Sequence, residues 1–166
     1  MSKKQKISAI DFDFGVEAII PSTQEAYQQD FQQEIRKTEK EQLGTFKATL
    51  GEKLDVQLAG NDQFPSDREV FIFIMQYFAS EKEYTRRDID NMAKTTLDVL
   101  KGRFYQDDSQ VKTLLIGKKI EQRIPQNFAY VAIKELKTEK DIDALKISGI
   151  ERSVILFQEL KSKGVF

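Results

Sequence analysis

The sequence contains no histidine, no cysteine and no tryptophan. Without cysteine, the chain forms no disulfide and no thiolate zinc site. Without histidine, it has no histidine-based triad and no histidine metal ligand. Any catalysis must therefore use carboxylate, lysine or tyrosine side chains. No apolar run reaches the length of a membrane span, and the basic start of the chain lacks the apolar region of a signal peptide, which predicts a cytoplasmic protein.

The composition is that of an ordinary globular domain. The chain has 166 residues, of which 40% are hydrophobic and 32% are charged, so one hydrophobic core suffices and no second domain is required. The formal net charge of −1 is not that of a strongly basic DNA-binding protein. However, residues 84–137 carry 11 Lys and Arg against 7 Asp and Glu, whereas residues 1–83 carry 10 against 15. A basic central segment is compatible with phosphate contacts.

Hydrophobic patterning predicts four strands, over residues 7–20, 70–79, 111–120 and 128–136. The second of these segments is apolar on both alternating faces, which is typical of a central strand covered on both sides. The fourth is expected to run antiparallel to the third after a turn at Pro125. Together with the helices, these strands predict a single α+β domain.

The first helix is predicted to begin at a capping box formed by Ser22 and Glu25. Tyr27, Phe31 and Ile35 then recur every four residues, so one narrow apolar stripe is expected to pack on the sheet. The glycines that follow leave the structure of the chain up to residue 60 open, and residues 60–68 are predicted to form a loop. A charged, mobile loop is predicted over residues 80–87.

A second helix is predicted to begin with Asp90 or Asn91 as its cap and to end before Gly102. Its buried stripe would consist of Ala93, Leu97 and Leu100. Phe104 and Tyr105 are expected to pack the chain back onto the core.

A third helix is predicted over residues 151–163, within a C-terminal extension of the domain that covers about residues 138–166. Val154, Phe157 and Leu160 would share one face of it. This is more apolar surface than a solvated terminal helix needs, so the helix is expected either to complete the core or to join a dimer interface.

The strongest functional signal is a set of acidic residues within residues 86–111. Asp88 and Asp90 form a D-x-D pair, Lys94 follows one helical turn later, and residues 107–108 form a second acidic doublet. Carboxylates are hard oxygen ligands, so their convergence would suit one or two Mg²⁺ ions with open positions for phosphate and water. The simpler interpretation is an ion pair between Asp90 and Lys94, four residues apart on one helix.

Two further patterns are weaker. Asp11 and Asp13 form a D-x-D that is similar to the opening motif of haloacid-dehalogenase-type phosphatases, but a glycine stands two residues after the second aspartate. An edge-strand position with acidic side chains in solvent is the better explanation. Glu135 and Lys137 form an E-x-K pattern that, with Asp108, would suit another class of nuclease site, although this pattern is common by chance.

The order D-x-D-N-x-x-K followed by D-D-x-Q-V resembles the RusA-type Holliday junction resolvases, which are crossover junction endodeoxyribonucleases. The match runs through residues 88–94, Asp98 and residues 107–111, about a sixth of the chain. The resemblance implies a mixed four-stranded sheet packed with helices, within a core of about residues 7–137. It also implies that the essential acidic residues are Asp88, Asp90 and Asp108, and that Lys94 is required.

The activity implied by this resemblance is hydrolysis of four-way DNA junctions in recombination and repair, with Mg²⁺, or Mn²⁺ in its place, held by the three aspartates. A homodimer is implied as well, since paired incision needs two sites related by a twofold axis. The candidate phosphate contacts are Arg86, Arg87, Lys101, Arg103, Lys112, Lys118 and Lys119. The alternatives are a weakly active or inactive DNA-binding or interaction module on the same fold, and a phosphatase that uses Asp11 and Asp13.

Overall fold

The computed structural model describes residues 10–22, 33–137 and Ser162, the side chains of residues 33–39 excepted. The elements follow in the order β1 (Phe12–Val16), α1 (Gln33–Leu58), β2 (Val70–Phe78), α2 (Glu81–Thr85), α3 (Ile89–Leu100), a 3₁₀ turn (Asp108–Gln110), β3 (Val111–Ile120) and β4 (Phe128–Glu135). The α+β class and the mixed four-stranded sheet predicted from the sequence are confirmed. None of the helices in these ranges is long and apolar enough to cross a membrane.

The strands form one sheet in the order β1-β4-β2-β3. β2 pairs in parallel with β3 and antiparallel with β4, and β1 pairs antiparallel with β4. β4 therefore runs antiparallel to β3, as expected, but the two strands are not neighbours because β2 lies between them. The predicted central position of the second strand is confirmed.

The hydrophobic core lies on one face of this sheet. Alternate residues of β2, among them Ile72, Ile74 and Phe78, are fully buried on that face. Helices α1 and α3 supply the other half of the core through Leu50, Leu54, Met92, Val99 and Leu100. Phe104 and Tyr105 are also fully buried, which confirms that they fold the chain back onto the core.

One loop prediction is wrong, and a segment that was left open is helical. The segment left open after residue 43 belongs to a single 26-residue helix, α1, which runs through Gly44 and Gly51. The segment predicted as a mobile loop after β2 contains the short helix α2. The predicted helix start at Ser22 with its stripe of Tyr27 and Phe31, and the predicted helix over 151–163 apart from Ser162, lie outside the described residues.

Gln76 is a fully buried polar residue in the middle of β2. Its side-chain oxygen accepts a hydrogen bond from the backbone N–H of Ile20 at 2.9 Å, and its amide nitrogen donates to the carbonyls of Ala18 and Phe128 at 3.1 and 3.0 Å. The segment after β1 has no strand partner here, so these bonds satisfy its buried backbone groups. Gln76 therefore fixes the path of the chain between β1 and α1.

Arg103 joins the end of α3 to α1. Its guanidinium donates to both carboxylate oxygens of Asp55, at 2.7 and 3.1 Å, and to the carbonyl of Val99 at 2.9 Å. The hydrogen bond from Arg103 holds the pKa of Asp55 below its usual value. Gly51 makes this packing possible, because a Cβ there would lie 2.6 Å from a guanidinium nitrogen. Arg103, predicted as a phosphate contact, thus has a structural role.

Replacing Gln76 with leucine is expected to destabilise the fold by about 1–3 kcal/mol, because the buried N–H of Ile20 would lose its acceptor. Urea denaturation followed by circular dichroism measures the change. Gln57→Leu, at an exposed position of α1, is the control and should stay within about 0.5 kcal/mol of wild type. Equal effects of the two substitutions would contradict the role assigned to Gln76.

The two glycines inside α1 are expected to respond differently to alanine. Gly44→Ala should stabilise the protein by about 1 kcal/mol, because its new Cβ meets no atom within 4 Å and alanine favours helix. Gly51→Ala gains the same helix propensity but displaces the guanidinium of Arg103, so its gain should be smaller or negative. Equal stabilisation in thermal unfolding would show that Arg103 moves without cost.

Candidate functional site

The connection between β2 and α3 is held in place by Lys118 of β3. Its ammonium group donates to the carbonyls of Tyr84 and Arg87, at 2.8 and 2.7 Å, and lies 4.3 Å from the centre of the Tyr84 ring. The Tyr84 ring in turn packs edge-on against Phe78. Lys118, one of the candidate phosphate contacts, thus fixes the start of α3, which carries the D-x-D pair.

Helix α3 begins two residues earlier than a cap at Asp90 would give, and three earlier than a cap at Asn91 would give. Asp88 is its N-cap, and the first helical bond runs from the N–H of Met92 to the carbonyl of Asp88. Asp88 makes no side-chain capping bond, so its exposed carboxylate is not used by the helix. Asp90, one of the two predicted caps, lies in the first turn, where the helix dipole favours a negative charge.

The acidic doublet before β3 is positioned by a capping box. The Asp107 carboxylate accepts a hydrogen bond from the N–H of Ser109, and the Gln110 side chain accepts from the backbone of Asp107. Gln110 also donates to the carbonyls of Ser66 and Arg68, both at 2.9 Å. Asp107 thus fixes the turn, and Asp108 is left with its carboxylate exposed to solvent.

These elements create one cleft of about 510 Å³ between α3 and β3. Its polar lining consists of Asp90, Lys94, Asp98 and Asp108, and its apolar lining of Ile89, Ala93, Leu97, Leu114 and Ile116. Asp90 and Lys94 of α3 thus share one surface with Asp108, which belongs to the turn before β3. Asp88 is adjacent to the cleft, at the amino end of α3, but does not line it.

The cleft runs along α3, from the amino end of the helix toward its carboxyl end. Asp90, Lys94 and Asp98 follow one another at intervals of four residues, so the first and last α-carbons lie about 12 Å apart. Asp108 lies toward the carboxyl-terminal end, where Lys101 donates to its carboxylate at 2.9 Å. This hydrogen bond raises the pKa of Lys101.

Tyr105 lies beneath that end of the cleft. Its hydroxyl donates to the carbonyl of Leu97 at 3.0 Å. Burial, followed by the negative charges of Asp108 and Asp98, raises the pKa of the Tyr105 phenol. Both carboxylates are therefore close enough to one buried phenol to act on it electrostatically.

Lysines neutralise two of the acidic residues. Lys47 of α1 donates to Asp98 at 2.7 Å, in addition to the contact between Lys101 and Asp108. Within residues 10–22 and 33–137, no three acidic side chains are close enough together to hold a metal ion. The donors are nevertheless hard carboxylate oxygens around an open cleft, which is the ligand type that Mg²⁺ and Mn²⁺ prefer.

Most of the other predicted phosphate contacts have carboxylate partners as well. Lys112 lies 2.8 Å from Glu69, and Lys119 lies 4.0 Å from Glu121. Arg87 lies 3.4 Å from Glu83. Together with Arg86, this pair lines a second cavity of about 390 Å³ between α2, α1 and the segment after β1.

The acidic residues of the two weaker motifs have partners within the sheet. Asp11 accepts a hydrogen bond from the backbone N–H of Glu135 at 2.7 Å, and Asp13 accepts from the Tyr130 hydroxyl at 2.9 Å. β1 is an edge strand, at the opposite edge of the sheet from β3. The Glu135 side chain is buried and lies 3.9 Å from Arg68. These contacts favour structural roles for both motifs.

The structure adds residues that the sequence interpretation passed over. Asp98 lines the cleft, although it was named above only as part of the family match. Gln110 was given no role. Its spacing from Asp107 is that of a capping box, so its role in the turn could have been predicted from the sequence. Lys47 reaches the site from α1, and no local pattern identifies it. Tyr105 was predicted only to pack on the core.

One family of known proteins matches most of the chain. The sequence model of the family Endodeoxyribonuclease RusA matches residues 4–134, which is most of the chain and includes every element of the sheet and the cleft. No curated protein matches the chain. The chain belongs to the RusA endodeoxyribonuclease family.

Proposed function

We propose that this protein is a divalent-metal-dependent endodeoxyribonuclease that hydrolyses phosphodiester bonds in four-way DNA junctions. The observation that carries the proposal is the shared cleft, in which Asp90 and Lys94 of α3 face Asp108 of the turn before β3. Membership of the RusA family supplies the reaction class and the branched substrate.

Asp88, Asp90 and Asp108 are the proposed ligands of Mg²⁺ or Mn²⁺. The helix does not use the carboxylate of Asp88, and that of Asp108 is exposed and held only by a surface lysine. The bound ion would polarise the scissile phosphate and lower the pKa of a water molecule that attacks it. Before the site can form, Asp108 must leave Lys101 and move from the carboxyl-terminal end of α3 toward Asp90.

Lys94 is proposed to bind the reacting phosphate. It lies one helical turn beyond Asp90, exposed at the cleft, on the wall that faces β3. An ammonium group at this position would stabilise the extra negative charge that develops on the phosphate oxygens during the reaction. The lysine thus complements the carboxylates, which hold the cation.

DNA backbone contacts are proposed for basic residues near the cleft. Arg86 and Arg87 lie just before α3, and Lys101 lies at its other end, so the three would flank a strand that crosses the cleft. A homodimer is proposed because a four-way junction presents two equivalent strands, and a twofold axis would place one cleft at each.

A non-catalytic DNA-binding module is the second candidate function. It is favoured by the ion pairs that occupy Asp98 and Asp108, which leave no ready-made group of three carboxylates in the described chain. Purified protein that binds labelled junctions in Mg²⁺ or Mn²⁺ without nicking them would establish this function instead.

Asp90→Asn is expected to reduce junction cleavage by more than about 100-fold, since even the loss of groups that orient metal ligands costs 10–100-fold. Junction binding in a gel-shift assay should persist. Asp62→Asn, which changes an exposed carboxylate in the loop before β2, is the matched control and should cleave like wild type. Cleavage by Asp90→Asn at the wild-type rate would exclude the proposed metal site.

Lys101→Met is expected to tighten Mn²⁺ binding a few-fold, because the metal would no longer compete with the ammonium group for Asp108. Calorimetric titration without DNA measures this directly. Lys112→Met is the control, since it removes a lysine that is paired with Glu69 at almost the same distance but outside the cleft. Unchanged or weaker binding by Lys101→Met would mean that Asp108 is not a ligand.

A further inference from the structure

The face of the sheet opposite α1 and α3 is rich in aromatic side chains. This aromatic face consists of Phe71, Phe73, Met75 and Tyr77 of β2 and Phe128, Tyr130 and Ala132 of β4, which stand opposite one another across the two strands. The rings of Tyr77 and Phe128 stack at 4.7 Å, and those of Phe73 and Tyr130 meet at 6.1 Å. Gly117 of β3 leaves room beside them for Met75.

No helix of the described chain packs on this face. The core cluster, together with the hydrophobic residues packed against it, takes its members from the other face of β2 and β4. The aromatic face carries instead a small apolar cavity of about 110 Å³, whose lining includes Phe71, Tyr130 and Lys134. Phe71 and Ala132 of this face are only 5% and 2% exposed, and its other members are partly buried. An apolar face of this kind is uncommon on a sheet that faces water, so it marks a place where something packs.

The chain itself continues from the edge of this cavity. β4 ends at Glu135, next to Lys134 in the cavity wall, and 29 residues follow Lys137 (166 − 137). These residues lie beyond the family match, which ends at residue 134. Their sequence places Val154, Phe157 and Leu160 on one predicted helical face, with two further apolar residues between them.

We propose that residues 151–163 form an amphipathic helix that packs on the aromatic face of the same chain. Helices would then cover both faces of the sheet, the usual arrangement for a strand that is apolar on both sides, as β2 is. The 13 residues of 138–150 can span up to about 43 Å, whereas β2 is only about 30 Å long. The connection therefore reaches any point of the face.

Tethering favours this segment over a second copy of the chain. A segment joined by a short linker has an effective concentration in the millimolar range, which a separate chain does not approach in dilute solution. The dimer proposed for junction cleavage would accordingly use another surface. The packing of the segment does not depend on the proposed nuclease activity, so either proposal can fail without the other.

Chemical cross-linking tests the proposal directly, because the chain contains no cysteine. Phe73→Cys combined with Phe157→Cys in the full-length protein, treated with a short bismaleimide, should give a cross-linked monomer whose yield does not depend on protein concentration. Val56→Cys combined with Phe157→Cys is the control. Val56 is 77% exposed on α1, on the other side of the sheet, and should give no product.

Cross-links between chains would show that a second copy supplies the segment. No product, or equal product with the Val56 control, would show that residues 151–163 do not contact the face. A single variant gives an independent measurement. The thiol of Met75→Cys should alkylate slowly in the full chain and several-fold faster when Phe157→Asp is added, and an unchanged rate would overturn the proposal.

Discussion

The parallel pairing of β2 with β3 is the constraint on which the site depends. Parallel neighbours need a crossover connection, since the chain must return from the end of one strand to the start of the next. Here α2, α3 and the capped turn form that connection. α3 therefore runs alongside β3 from Asp90 at its amino end, and the turn delivers Asp108 to the start of β3. The cleft is a direct consequence of this topology.

Lysine side chains balance the negative charge of two acidic residues in the cleft. Lys101 holds Asp108, and Lys47 holds Asp98. Carboxylates that share a small volume repel one another, and any nearby positive charge relieves the repulsion. A divalent ion would do this with a larger charge in one place. The same pairing explains why the basic central segment is not a free cationic surface, since Arg103, Lys112 and Lys118 are held by groups of the protein.

The sequence predicted those parts of the fold that local patterns determine. The apolar run of β2 and the start of β3 at Val111 came out as expected, because each follows from a local pattern. Asp90, Lys94 and Asp108 also line one cleft, whereas Asp88 does not line it. The continuity of α1 could not be read locally. Two glycines argue against a helix there, and the contacts that outweigh them come from elsewhere in the chain, such as Arg103 beside Gly51. The structural role of Gln76 could not be predicted from local sequence either, because its hydrogen-bond partners lie more than 50 positions away.

The central claim is that Asp90 and Asp108 bind one divalent ion between α3 and β3. Anomalous diffraction from crystals grown with Mn²⁺ locates such an ion without reference to activity. A peak within coordination distance of both carboxylates, with Lys101 released from Asp108, is the expected result. A peak elsewhere on the molecule, or none in the cleft while the contact between Lys101 and Asp108 stays intact at saturating Mn²⁺, would contradict it.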